Sequence, residues 1–93
     1  MSELKMPQGS VEYLYADVRA DRVLDTQAVT MRVSNRDVPG TWQVAEWVGN
    51  PGRYRSARIL LDGSLTRGSY VVSVRVTDVP EAPIVNVGSL RIE

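Results

Sequence analysis

A period-two alternation of apolar and polar residues, in short runs cut by Gly, Pro, Asn and Asp, constrains this 93-residue chain more than any other feature. From Tyr70 to Thr77, the residues Tyr70, Val72, Val74 and Val76 fall on one face, while Val71, Ser73, Arg75 and Thr77 fall on the other. Gln27 to Ser34 repeats the pattern, with Val29, Met31 and Val33 against Ala28, Thr30, Arg32 and Ser34. Successive side chains of an extended backbone point to opposite sides, so such runs read as half-buried strands. No segment long enough for a helix keeps a 3.6-residue period, and the chain is expected to be all-β.

The remaining strands follow from the punctuation. Met1 to Ser10, with Pro7 and Gly9, reads as an extended N-terminal arm, and residues 11–93 as one domain. A first strand is expected from Val11 to Val18, with both faces partly covered, before the polar stretch Arg19 to Asp25 turns the chain. Asn35 to Gly40 is a loop, and Thr41 to Val48 a strand. Gly49-Asn50-Pro51-Gly52 is the strongest turn signal, followed by a strand from Tyr54 to Leu61 and a second turn at Asp62-Gly63-Ser64. Pro80 and Pro83 exclude Asp78 to Pro83 from a central strand, and Val85 to Ile92 closes the chain. About seven short strands at this spacing predict an antiparallel β-sandwich.

Composition narrows the chemistry. The chain has no Cys and no His, so disulfides, thiolate zinc sites, a cysteine nucleophile and the commonest general base are unavailable. Ser, Thr, Asp and Glu remain, but a nucleophile needs an activating base, and a sandwich this small rarely holds the cleft a carboxylate pair would flank. The expectation is a non-enzyme without cofactor or metal. Eleven basic and eleven acidic residues balance, which argues against nucleic acid as a partner. Neither a secretory signal nor an apolar run of membrane-spanning length is expected from the sequence, hence no membrane association.

The Trp42 strand, the Leu65-x-x-Gly68-x-Tyr70-x-Val72-x-Val74 run and the closing strand resemble immunoglobulin and fibronectin type III domains. The resemblance implies that Trp42 is the buried Trp of strand C, and that Tyr70 is the corner Tyr bonding back across its loop. No disulfide counterpart exists, so the likeness is to cysteine-free members. A narrower likeness lies in Trp42-Gln43-Val44-Ala45-Glu46-Trp47, in Gly68-Ser69-Tyr70 through Val74-Arg75-Val76-Thr77-Asp78-Val79-Pro80-Glu81-Ala82-Pro83, and in Val87-Gly88-Ser89-Leu90-Arg91-Ile92. These segments resemble small structural proteins of tailed bacteriophages that infect actinobacteria. A strong preference for Arg over Lys, whose only copy is Lys5, suits such GC-rich hosts.

The resemblance implies a virion protein made in the host cytoplasm, of structural role in the head or head-to-tail region. The reading adopted is a minor capsid or decoration protein bound to the major capsid protein or other virion proteins, with self-association a further option. The alternatives are a head-to-tail connector or tail component, or a soluble protein- or carbohydrate-binding module. Candidate partner contacts are Leu4 and Met6 on the arm, which is expected to order only against a partner. Arg53, Tyr54 and Arg55 form the densest basic cluster with Arg58, read either as a binding edge or as a solvated edge paired with Glu46 or Asp62. If Trp42 points inward, Ala45 and Trp47 point outward beside Val71 and Arg75, as an interaction hot spot. The other placement of Trp47 is beneath a loop at the end of the sandwich. Asp17, Asp21 and Asp25 could offer oxygen ligands to calcium, but read more simply as a solvated turn.

Overall fold

The computed structural model describes residues 3–37, 39–77 and 84–93, without the side chains of residues 3, 21, 22 and 84–87. It contains strands β1 (Glu3–Met6), β2 (Glu12–Leu24), β3 (Ala28–Ser34), β4 (Gln43–Val44), β5 (Glu46–Val48), β6 (Gly52–Leu61), β7 (Gly68–Thr77) and β8 (Ile84–Ile92). Five form one sheet in the order β1-β8-β7-β3-β4, and three form the other in the order β2-β6-β5. Placing β3, β7 and β8 as strands C, F and G, and β2, β6 and β5 as B, E and D, reproduces the two sheets of an immunoglobulin-like sandwich. No helix of the described residues is long and apolar enough to cross a membrane.

The alternation read from the sequence builds the core. Val29, Met31 and Val33 of β3 face Val76, Val74 and Val72 of β7 in register, and all but the partly buried Val76 are buried. From the second sheet come Leu14, Ala16 and Val18 of β2, with Ala57, Ile59 and Leu61 of β6. Tyr70 is buried, and its hydroxyl donates to the carbonyl of Thr66 at 2.8 Å, four residues upstream. This is the corner the sequence predicted: the ring fills the core while the polar tip satisfies a loop carbonyl.

Three expectations are corrected. The stretch Arg19 to Asp25 is not a turn: β2 continues to Leu24, which is buried, across a shift of register between Arg19 and Leu24. Charged residues concealed the strand because an edge strand with one solvated face tolerates them. The arm is not left waiting for a partner. β1 runs parallel to β8, setting Leu4 against Leu90 and Met6 against Ile92, and Met6 lies in the core. The bonds Gln8 N to Glu93 O and Glu93 N to Met6 O, each 2.9 Å, extend the attachment. Asp78 to Pro83 lies outside the described residues.

The third correction concerns the two tryptophans. Thr41 to Val48 is not one strand. β4 pairs with β3 in the first sheet, and β5 pairs with β6 in the second. At the crossing, Ala45 N donates to Val29 O at 2.9 Å. The alternation assumed in sequence therefore does not carry through Ala45. Trp47 turns inward, packs against the core beside Ala45, and donates Nε1–H to Gln27 O at 2.9 Å. Trp42, expected in the core, is only partly buried and lies against the guanidinium groups of Arg32 and Arg75, 4.6 and 4.5 Å from its ring. These arginines project from neighbouring strands, and Arg32 stands opposite Ser73, so Trp42 covers the outer face of the five-stranded sheet. Strand C is β3, and Met31 is its central buried residue.

Gly40 makes the return of the loop possible. Its φ is +72°, and a Cβ there would stand 2.3 Å from the carbonyl oxygen of Val33. The backbone thus presses directly on the end of β3 before reaching Trp42, an approach open only to Gly.

The reversed roles of the tryptophans have a measurable outcome. Trp47→Ala is expected to cost about 3–5 kcal/mol of unfolding free energy, as a large deletion against the core, and Trp42→Ala clearly less. Denaturant titration of the two variants checks the order, and equal or inverted costs contradict the assignment.

Candidate partner-binding face

The outer face of the three-stranded sheet gathers large side chains into cross-strand rows. Tyr15 of β2, Arg58 of β6 and Glu46 of β5 are directly opposite one another in register. Tyr13 stands opposite Leu60 in the next row, and Asp17 opposite Ser56 on the other side. Arg19 and Tyr54 form the row beyond. Opposed residues on one face of a sheet are close enough to touch, so the strand pairing alone creates the cluster.

Arg58 organises it. Its Nε donates to Glu46 Oε1, its Nη1 donates to the Tyr15 hydroxyl at 3.2 Å, and its guanidinium carbon lies 4.1 Å from the centre of the Tyr13 ring. The hydrogen bond to Tyr15 and then that to Glu46 hold the guanidinium further toward its charged form. The two tyrosine rings are 6.3 Å apart and tilted at 54°. Arg58 therefore meets a ring face, a phenol oxygen and a carboxylate at once, a geometry suited to its planar fork. The acid offsets its charge, so the face presents aromatic surface rather than a basic patch.

This surface is open. Tyr13 is 43% exposed, Tyr15 47%, Leu60 51%, Tyr54 67% and Val44 89%. Tyr13, Val44, Glu46, Arg58 and Leu60 line a shallow depression beside the point where the chain crosses between sheets. Asp17 accepts the Ser56 hydroxyl at 2.7 Å and so is held within the same face.

The residues proposed from sequence divide sharply. Tyr54 lies on this face, and Arg53 is exposed on the same strand. Arg58, read as a member of the basic cluster, is paired with Glu46 as the solvated-edge reading had it. Arg55 instead points to the end of the sandwich. It donates to the carbonyls of Leu24, Asp25, Gly49 and Val48 at 3.1, 2.9, 2.9 and 3.4 Å, with its guanidinium 5.4 Å from the Trp47 ring. It closes two turns over Trp47. Ala45, Trp47 and Met6 pack with the core and are withdrawn as partner contacts. Val71 and Leu4 are exposed elsewhere, and Arg75 is engaged with Trp42. Among the described residues, no group of three or more acidic side chains could hold a metal ion.

Tyr13 and Tyr15 are the functional candidates that sequence reasoning missed. The signal was present: Leu14, Ala16 and Val18 form the wholly apolar set of that strand, and the set carrying two hydroxyls should have been placed outward. Comparison with family models, with curated proteins and with solved structures finds no match for this chain.

If Arg58 pins the two rings, Arg58→Ala should move the melting temperature little, because the residue is only partly buried and its ion pair is on the surface, but should raise the rate of Tyr13 and Tyr15 nitration. Unchanged nitration would show that the rings are held without it.

Proposed function

We propose that this protein is a non-enzymatic structural module of a phage virion, a minor capsid or decoration protein that docks on the assembled shell through the outer face of its three-stranded sheet. The observation that carries the docking role is the exposed set Tyr13, Tyr15, Tyr54 and Leu60 around a restrained Arg58. Tyr and Arg are enriched where interfaces concentrate their binding energy, and their large rigid surfaces are ordered at low entropic cost. Arg58 is already fixed before a partner arrives, which lowers the cost of association further.

The virion setting rests on the sequence resemblance described above. It agrees with a small rigid sandwich whose chemistry-bearing residues are engaged in structural contacts. A module of this kind stabilises a shell by binding the assembled state in preference to its parts, and repetition over the shell multiplies the effect.

The test is to add the protein to particles that lack it and count bound copies by quantitative mass spectrometry. Hundreds of copies per particle are expected for a shell protein, against about a dozen for a ring-shaped connector. Tyr13→Ser combined with Tyr15→Ser should lower occupancy by at least about tenfold while the variant stays folded. A count near a dozen, or full occupancy by the variant, would overturn the decoration role or the docking face respectively.

A further inference from the structure

Among the described residues, the arginines that the fold half-buries are Arg32, Arg55, Arg58 and Arg75. Two of them are given acceptors, Arg55 by four backbone carbonyls and Arg58 by Glu46 and Tyr15. Arg32 and Arg75 are not. Among the described residues neither guanidinium meets a carboxylate or a hydrogen-bond acceptor, and each lies instead against the Trp42 ring. The Nε of Arg32 is buried without a hydrogen-bond partner among the described residues.

The register of the five-stranded sheet brings the two cations together. Arg32 stands opposite Ser73 of β7 and Arg75 opposite Thr30 of β3, which makes the arginines diagonal neighbours on the outer face. Trp42, just ahead of β4, has its ring centre 4.6 and 4.5 Å from their guanidinium carbons. The face of an indole attracts each cation, but the ring carries no net charge and leaves two like charges over one side chain. Half-burial removes part of their water, so their mutual repulsion and their attraction for an anion are both stronger than for exposed arginines. The orphaned Nε of Arg32 marks the same deficit, since buried donors without an acceptor are rare in folded proteins.

We propose that Arg32 and Arg75 form a binding site for a compact, doubly charged oxyanion of the class of inorganic phosphate or sulfate. Two cations set the charge, and the guanidinium fork matches oxygens held on one central atom. A carboxylate, with a single charge, leaves one arginine unmatched. The neighbouring outer positions Thr30, Ser34, Val44 and Val71 are uncharged, so the pair is an isolated site and not part of a basic track for a nucleic-acid backbone. The site lies on the five-stranded sheet, and the inference stands whether or not the tyrosine face docks on a shell.

Nitrogen-15 NMR of the full chain at mildly alkaline pH tests it, with phosphate exchanged for chloride at constant ionic strength. The Trp42 indole N–H and the Arg32 Nε–H are expected to shift with saturation, while the Trp47 indole N–H, bonded to Gln27 O, stays fixed. Sulfate should reproduce the shifts and acetate should not. Arg75→Gln should weaken phosphate binding at least about tenfold, whereas Arg53→Gln, at an exposed position on the other sheet, should leave it unchanged. Circular dichroism verifies that each variant is folded. A wild-type chain without a saturable shift, acetate bound as tightly as phosphate, or equal losses from Arg75→Gln and Arg53→Gln would each overturn the proposal.

Discussion

The change of sheet at Ala45 decides more of this structure than any other local event. The bond from Ala45 N to Val29 O carries the β3–β4 pairing one residue further, just before Glu46 joins β6. The crossing turns Trp47 inward over the core, and it leaves Trp42 on the opposite outer face, where two arginines receive it. It also delivers Glu46 to the row that holds Arg58. Core, covered face and candidate binding face therefore depend on one crossing.

Four arginines illustrate how the same side chain serves three different ends. Arg55 satisfies four backbone carbonyls where β2, β5 and β6 meet, and so seals the end of the sandwich above Trp47. Arg75 lies with Arg32 against Trp42 and caps the five-stranded sheet. Arg58 alone stands among exposed rings, its charge offset by Glu46 and its position fixed by Tyr15. A planar cation that is weakly hydrated and always charged can do all three, and only its surroundings distinguish a structural tie from a contact surface.

The strands with clean alternation, β3 and β7, were legible because each has one wholly apolar face, and a slip of one residue would expose it. Tyr70 was legible from its place at the start of β7. The tryptophans were not, because a change of sheet resets the parity of side chains and leaves no mark in composition. The extension of β2 beyond Val18 was hidden by the charges of Arg19, Asp21 and Arg22, which read as a polar turn in the sequence. The order of the arm came from pairing with β8, a long-range contact that the arm's residues read alone could not disclose. The binding face suffered from a related difficulty: Tyr is both a core and a surface residue, and only the register of β2 against β6 shows which it is here.

One face of the sandwich is covered by Trp42 and another is left open by its tyrosines. On the docking proposed above, the three-stranded sheet, and not the Trp42 face, meets the partner. Hydroxyl-radical footprinting of the protein free and bound to particles addresses this directly, since aromatic rings report their own exposure. Tyr13, Tyr15 and Tyr54 are expected to lose reactivity on binding while Trp42 keeps its own. Loss of reactivity at Trp42 with the three tyrosines unchanged would contradict it.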